Sequence, residues 1–145
     1  MAEKLFSNED REIIISAIKQ AELKTSGEIQ VHIESKVRGD LMDRAAEVFE
    51  MLKMFQTKDR NGVLFYLAVE DHKFAILGDG GINAVVPKNF WEEIKETMLG
   101  YFKKGEFTEG LKTGIKMAGD QLQAHFPYNE STDINELPDE ISFGE

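Results

Sequence analysis

Between Glu28 and Glu34, Ile29, Val31 and Ile33 alternate with Gln30 and His32. That period of two predicts a strand with one buried and one more polar face. Val63 to Val69 is an unbroken apolar run, as expected of a central strand covered on both sides. Phe74 to Leu77 predicts a third strand. Glu70-Asp71-His72-Lys73 before it reads as a tight turn, so the second and third strands form a hairpin. Elsewhere the spacing is helical. Ile14, Ala17, Ile18 and Ala21 mark a first helix. Leu41, Ala45, Val48, Phe49, Leu52 and Phe55 mark a second. Trp91, Ile94, Met98 and Phe102 line a third, and Leu111, Ile115, Ala118 and Leu122 a fourth. Ser7 and Asp10 form a capping-box-like start to the first helix, and Pro127 closes the last.

Connectivity turns these elements into a fold. Strand, helix and strand in succession make a βαβ unit, whose crossover joins parallel strands with a right-handed turn. The hairpin adds an antiparallel third strand, which gives an α/β fold on a central mixed sheet flanked by about four helices. The first two strands then start at the edge where the third one ends. Ser26-Gly27-Glu28, Asp59-Arg60-Asn61-Gly62 and Gly78-Asp79-Gly80-Gly81 all arrive there. The opposite edge collects Glu34, Glu70, Asp71 and His72.

Carboxylates gathered at one edge repel one another, and a shared cation relieves that repulsion. Glu28, Asp59 and Asp79, with Asn61 or a loop carbonyl, are the candidate metal ligands. An all-oxygen set suits calcium or magnesium. The alternative is that these are polar turns with helix-capping aspartates. No segment has the EF-hand pattern. Gly78 to Gly81 offers backbone amides but has neither the lysine of a P-loop nor a dinucleotide fingerprint. Catalytic residues are not identifiable: Ser26 has no histidine in its sequence context, and His32, His72 and His125 stand apart from one another.

Composition narrows the partners. The chain has 145 residues and no cysteine, which suits one domain and excludes disulfides and thiolate metal sites. Net charge is -10, and that argues against nucleic acid and anionic membrane surfaces. Glu130, Asp133, Glu136, Asp139, Glu140 and Glu145 are accompanied by no Lys or Arg after residue 127. We therefore expect a domain over 1–127 and an acidic tail over 128–145. Ile134, Leu137, Ile141 and Phe143 in the tail suit docking on the body. With neither a leader-like nor a membrane-spanning apolar run, the expected location is the cytoplasm, without membrane insertion.

Several of these segments also resemble the TPM domain family. They are Thr25-Ser26-Gly27-Glu28-Ile29-Gln30-Val31, Asn61-Gly62-Val63-Leu64 and Gly78-Asp79-Gly80-Gly81-Ile82. Phe102-Lys103-Lys104-Gly105-Glu106-Phe107 with Gly110-Leu111 completes the set. The resemblance spans about residues 5 to 126 and implies a three-layer α/β/α sandwich of Rossmann-like arrangement. It implies a cleft at the sheet edge that binds divalent cations, calcium included. Some relatives are described as acid phosphatases, and others as accessory factors of membrane complexes. Many relatives carry a G-Y-G-L-E-like glycine turn. Here the acid stands at Asp79, and Asn83 replaces the later Glu. Two functions follow as expectations: a cation-binding accessory module with a protein partner, or a metal-assisted phosphatase acting on phosphate monoesters.

Overall fold

Ser7 opens α1 (Asn8–Glu22) with a complete capping box: its hydroxyl accepts from the Asp10 amide, and the Asp10 carboxylate accepts from the Ser7 amide. Such reciprocal capping satisfies two otherwise orphaned donors. The computed structural model describes residues 5–128 and 141–144. Beyond α1 come β1 (Glu28–Glu34), α2 (Leu41–Met51), β2 (Gly62–Ala68) and β3 (Lys73–Gly78). They are followed by α3 (Gly80–Asn83), α4 (Glu92–Phe102), α5 (Phe107–Leu122) and β4 (Ile141–Phe143).

The sheet order is β3-β2-β1-β4. β1 is parallel to β2, with Glu28 opposite Gly62 and Glu34 opposite Ala68. β3 is antiparallel to β2, with Gly78 opposite Val63. β4 lies parallel on the other side of β1, with Ile141 opposite Val31 and Phe143 opposite Ile33. The expected βαβ unit and hairpin are both present, in an open mixed sheet with helices on both faces. A strand contributed by residues 141–143 was not anticipated. Three residues flanked by acids give too short a pattern to read as a strand. Ile134 and Leu137 lie outside the described residues.

One face of the sheet buries Ile29, Val31, Ile33, Val63, Phe65 and Leu67 against Ile14 and Ile18 of α1, Ile94 and Met98 of α4, and Leu111 and Ile115 of α5. On the other face Leu64, Tyr66 and Ala68 pack against Ala45 and Val48 of α2 and against Met54. These two cores are the layers on either side of the sheet. The helices of the first layer sit close because glycines of α5 receive side chains of α4: Gly110 faces Phe102 and Gly114 faces Met98. A Cβ on Gly114 would run into the Met98 sulfur and stand 2.8 Å from Met98 Cγ. Gly114→Ala is therefore expected to destabilise the fold by about 1–3 kcal/mol, the usual cost of overpacking a filled core. A urea midpoint that does not move would refute this.

Three local readings need correction. α2 stops at Met51, and Phe55 belongs to a 3-10 turn (Met54–Gln56) instead. Lys53 enters the left-handed region, with φ 56°, and that ends the helix before its apolar spacing runs out. Gly78 to Gly81 does not remain a loop: Asp79 caps the single turn α3 through the Gly80 amide at 2.7 Å. The more polar face of β1 is buried as fully as the apolar one, since every residue from Glu28 to Glu34 is buried.

Candidate functional site

The starting edge of β1 and β2 does bring the three polar stretches together. The Glu28 amide donates to the Asn61 carbonyl at 3.3 Å, and the Asp79 amide donates to the Gly62 carbonyl at 2.9 Å. The Gly81 amide donates to the Arg60 carbonyl at 2.8 Å. Gly81 has to be glycine at this contact: a Cβ would collide with the Asp59 carbonyl oxygen and lie 2.6 Å from that of Arg60. On its far side the edge is tied to the end of α5. The Ser26 amide donates to the Phe126 carbonyl at 2.8 Å, and Thr25 pairs with Pro127.

The four candidate ligands occupy different environments there. Glu28 is buried, at 3% exposure. Asn61 is buried, with its side-chain amide donating to Ser26 Oγ at 3.2 Å and its backbone amide donating to Thr57 Oγ1 at 3.1 Å. Its Oδ1 is buried and meets no hydrogen-bond partner among the described residues. An orphaned acceptor of this kind carries a desolvation cost of about 1–3 kcal/mol unless something donates to it or is coordinated by it. Asp79 is buried but engaged. Arg60 Nε and Nη2 donate to its two oxygens at 2.7 and 2.8 Å, and that bidentate pair raises the Arg60 pKa. Asp59 is exposed. No three His, Asp or Glu side chains converge as a metal-holding group among the described residues.

The opposite edge holds a network that sequence reasoning did not find. Glu34 sits at the end of β1, nearly without exposure. Its carboxylate accepts from Arg44 Nη2 and, at 3.1 Å, from Arg44 Nε. It also accepts from the Tyr66 hydroxyl and lies 3.0 Å from His32 Nε2. Burial alone would raise the Glu34 pKa, but the bonds from Arg44, Tyr66 and His32 outweigh it and bring the value to about 2. Burial and then the Glu34 bond push the Tyr66 phenol up, and burial holds His32 below its usual value. The bond to Glu34 raises Arg44. The available signal was the i, i+2 pair His32–Glu34 on one strand face, which places both side chains on the same side. Arg44, from α2, could not be read as their partner without the crossover geometry. Asp71 at this edge accepts from the Val37 amide at 2.7 Å and fastens the two connections.

The fold has counterparts among solved structures. A solved structure of the BA42 protein from the psychrophilic bacterium Bizionia argentinensis is similar, at 47% identity and a TM-score of 0.91, covering 96% of this chain and 95% of that one. The N-terminal domain of a protein from P. gingivalis matches at 18% identity and a TM-score of 0.70, over 86% of this chain and 82% of that one. The N-terminal domain of the cg2496 protein from Corynebacterium glutamicum matches at 13% identity and 0.64, over 94% and 79%. Those two likenesses concern the fold alone. No curated protein matches the chain significantly. No helix among the described residues is long and apolar enough to cross a membrane. The TPM domain profile matches residues 2–121, and the chain belongs to the TPM domain family.

Proposed function

We propose that the starting edge of β1 and β2 binds a divalent cation, calcium or magnesium, and that the ordered loops present a surface to a protein partner. The observation that carries this reading is the buried Oδ1 of Asn61, unpartnered among the described residues, on the strand register next to the buried Glu28. Both are hard oxygen donors suited to such ions. Ser26 Oγ, already bonded to the Asn61 amide, and the loop carbonyls extend the set. Asp79 joins it only when Arg60 withdraws, and Asp59 approaches from the exposed side of the same loop.

Arg60 thus competes with the cation for Asp79. Arg60→Ala is expected to tighten calcium binding, since the guanidinium no longer competes for the buried Asp79 carboxylate. Glu28→Gln with Asn61→Leu is expected to abolish binding. Bound ligand stabilises the folded state by mass action, so saturating calcium should raise the melting temperature of the wild type and leave the double variant unmoved. Equal cation effects on both proteins would defeat the proposal.

The metal-assisted phosphatase reading would use the same cation. It finds less support, because the Arg60 guanidinium that a phosphoryl group would need is held by Asp79, and phosphoryl transfer relies on positive charge beyond one metal.

A further inference from the structure

β1 is built as an interior strand, with Val31, His32 and Ile33 all at 0–1% exposure, yet among the described residues it pairs on one side only with the three residues of β4 and with Gly144. What β4 presents to it is specific at each position. The Glu34 carboxylate can only accept, so His32 Nε2 carries the proton and Nδ1 must accept. Ser142 Oγ, 2.8 Å from Nδ1, therefore donates to it, and the position requires a hydroxyl. The Phe143 ring lies 6.4 Å from that of Phe6 and 4.9 Å from the Arg11 guanidinium, a cation–π contact as well as an apolar one. The Gly144 amide donates to the Ile33 carbonyl at 2.8 Å. A Cβ on Gly144 would strike Glu34 Oε1 and come 2.7 Å from its Cγ. Glu34 cannot yield, because Arg44, Tyr66 and His32 all hold it.

Because β4 is parallel to β1, a segment continuing past Gly144 heads for the Glu34 end. A cleft of about 430 Å³ lies there, lined by Glu34, Lys36, Arg38, Arg44 and Glu47. Arg44 pairs with both acids, whereas Lys36 and Arg38 make no ion pair among the described residues, so three cations face two anions in the lining. The cleft is thus complementary to an acidic group following the glycine.

We propose that the β1 edge is a strand-accepting groove that reads a hydroxyl, an aromatic and a glycine in succession, followed by an acidic group. In this structure the chain's own residues 142–144 fill it, and a partner segment of the same chemistry takes their place when they withdraw. This is strand addition to a sheet edge, with main-chain bonds for affinity and alternate side chains for specificity.

The test uses the full chain, with Gly144→Val to expel the tail and Phe143→Asp as a second route to the same opening. The probe is a labelled synthetic peptide of residues 138–145. Opened protein should bind it saturably, with amide shifts from Val31 to Glu34. The affinity should exceed that of the wild type by on the order of a hundredfold, the advantage of removing an intramolecular competitor. Placing Gly144→Val in the peptide should abolish binding, and replacing its last residue by Ala with an amidated end should weaken it severalfold. The proposal is overturned if a folded variant with a released tail binds the peptide no better than the wild type. It is equally overturned if both variants keep β4 docked, or if both unfold, because the strand is then not exchangeable.

Discussion

Glu34→Ala should destabilise the protein by about 3 kcal/mol, the usual result of removing one partner from a buried ion pair. The loss is that large because one carboxylate serves three donors on three elements: His32 of β1, Arg44 of α2 and Tyr66 of β2. Without it, His32 Nε2 and the Tyr66 hydroxyl lose their acceptor in a buried setting, and Arg44, partly exposed, retains its pair with Glu47. The same residue governs the response to acid. Its folded-state pKa of about 2 lies below the ordinary 4.5. The associated stability is therefore complete above about pH 4.5 and is lost as pH falls toward 2. His32, held below 6.5, acts in the same direction at higher pH, since the unfolded chain takes up its proton first. Urea midpoints measured from pH 7 to pH 2.5 should fall steadily in the wild type. They should be lower at pH 7 and flatter toward acid in Glu34→Ala. Parallel pH curves for the two proteins would show that the network is not the source of the acid sensitivity.

The second large effect is expected at Gly81. Gly81→Ala puts a methyl group into the Asp59 and Arg60 carbonyls, which are backbone and cannot rotate away as a side chain could. Either the 59–61 loop or α3 has to move. The expected cost is about 1–3 kcal/mol, as for other overpacking changes, together with loss of cation binding. Amide shifts at Asp59 to Asn61 accompanied by a lower urea midpoint would bear this out. A variant with native loop shifts and native stability would show that the approach of the two segments is not fixed by glycine. Gly80, by contrast, has open space at its Cβ position, so Gly80→Ala is the matched control and should leave both readouts nearly unchanged.

The sheet was legible where burial is two-sided or strictly alternating. Val63 to Val69 and Ile29 to Ile33 are such patterns, and hairpin and crossover rules then fixed which ends meet. What escaped was long-range and chemical. β4 contributes three residues, and its register depends on His32 and Glu34, which lie more than a hundred positions earlier in the chain. The polar column of β1 read only as the more polar face, and its burial was missed, because alternation reports polarity and not what covers it. At the candidate cation edge, the meeting of the three polar stretches followed from topology, whereas the Arg60–Asp79 pair did not. Arg60 reaches Asp79 from a left-handed backbone conformation, φ 51°, that nothing in the local sequence requires.

The cation site is tested by a titration of isotope-labelled protein with calcium and then magnesium, followed through backbone amide shifts. Saturable shifts are expected, concentrated at Ser26 to Glu28, Asp59 to Asn61 and Gly78 to Gly81, and absent from the Glu28→Gln, Asn61→Leu double variant. No shifts at those positions, or weak changes spread over the acidic residues after 127, would contradict it.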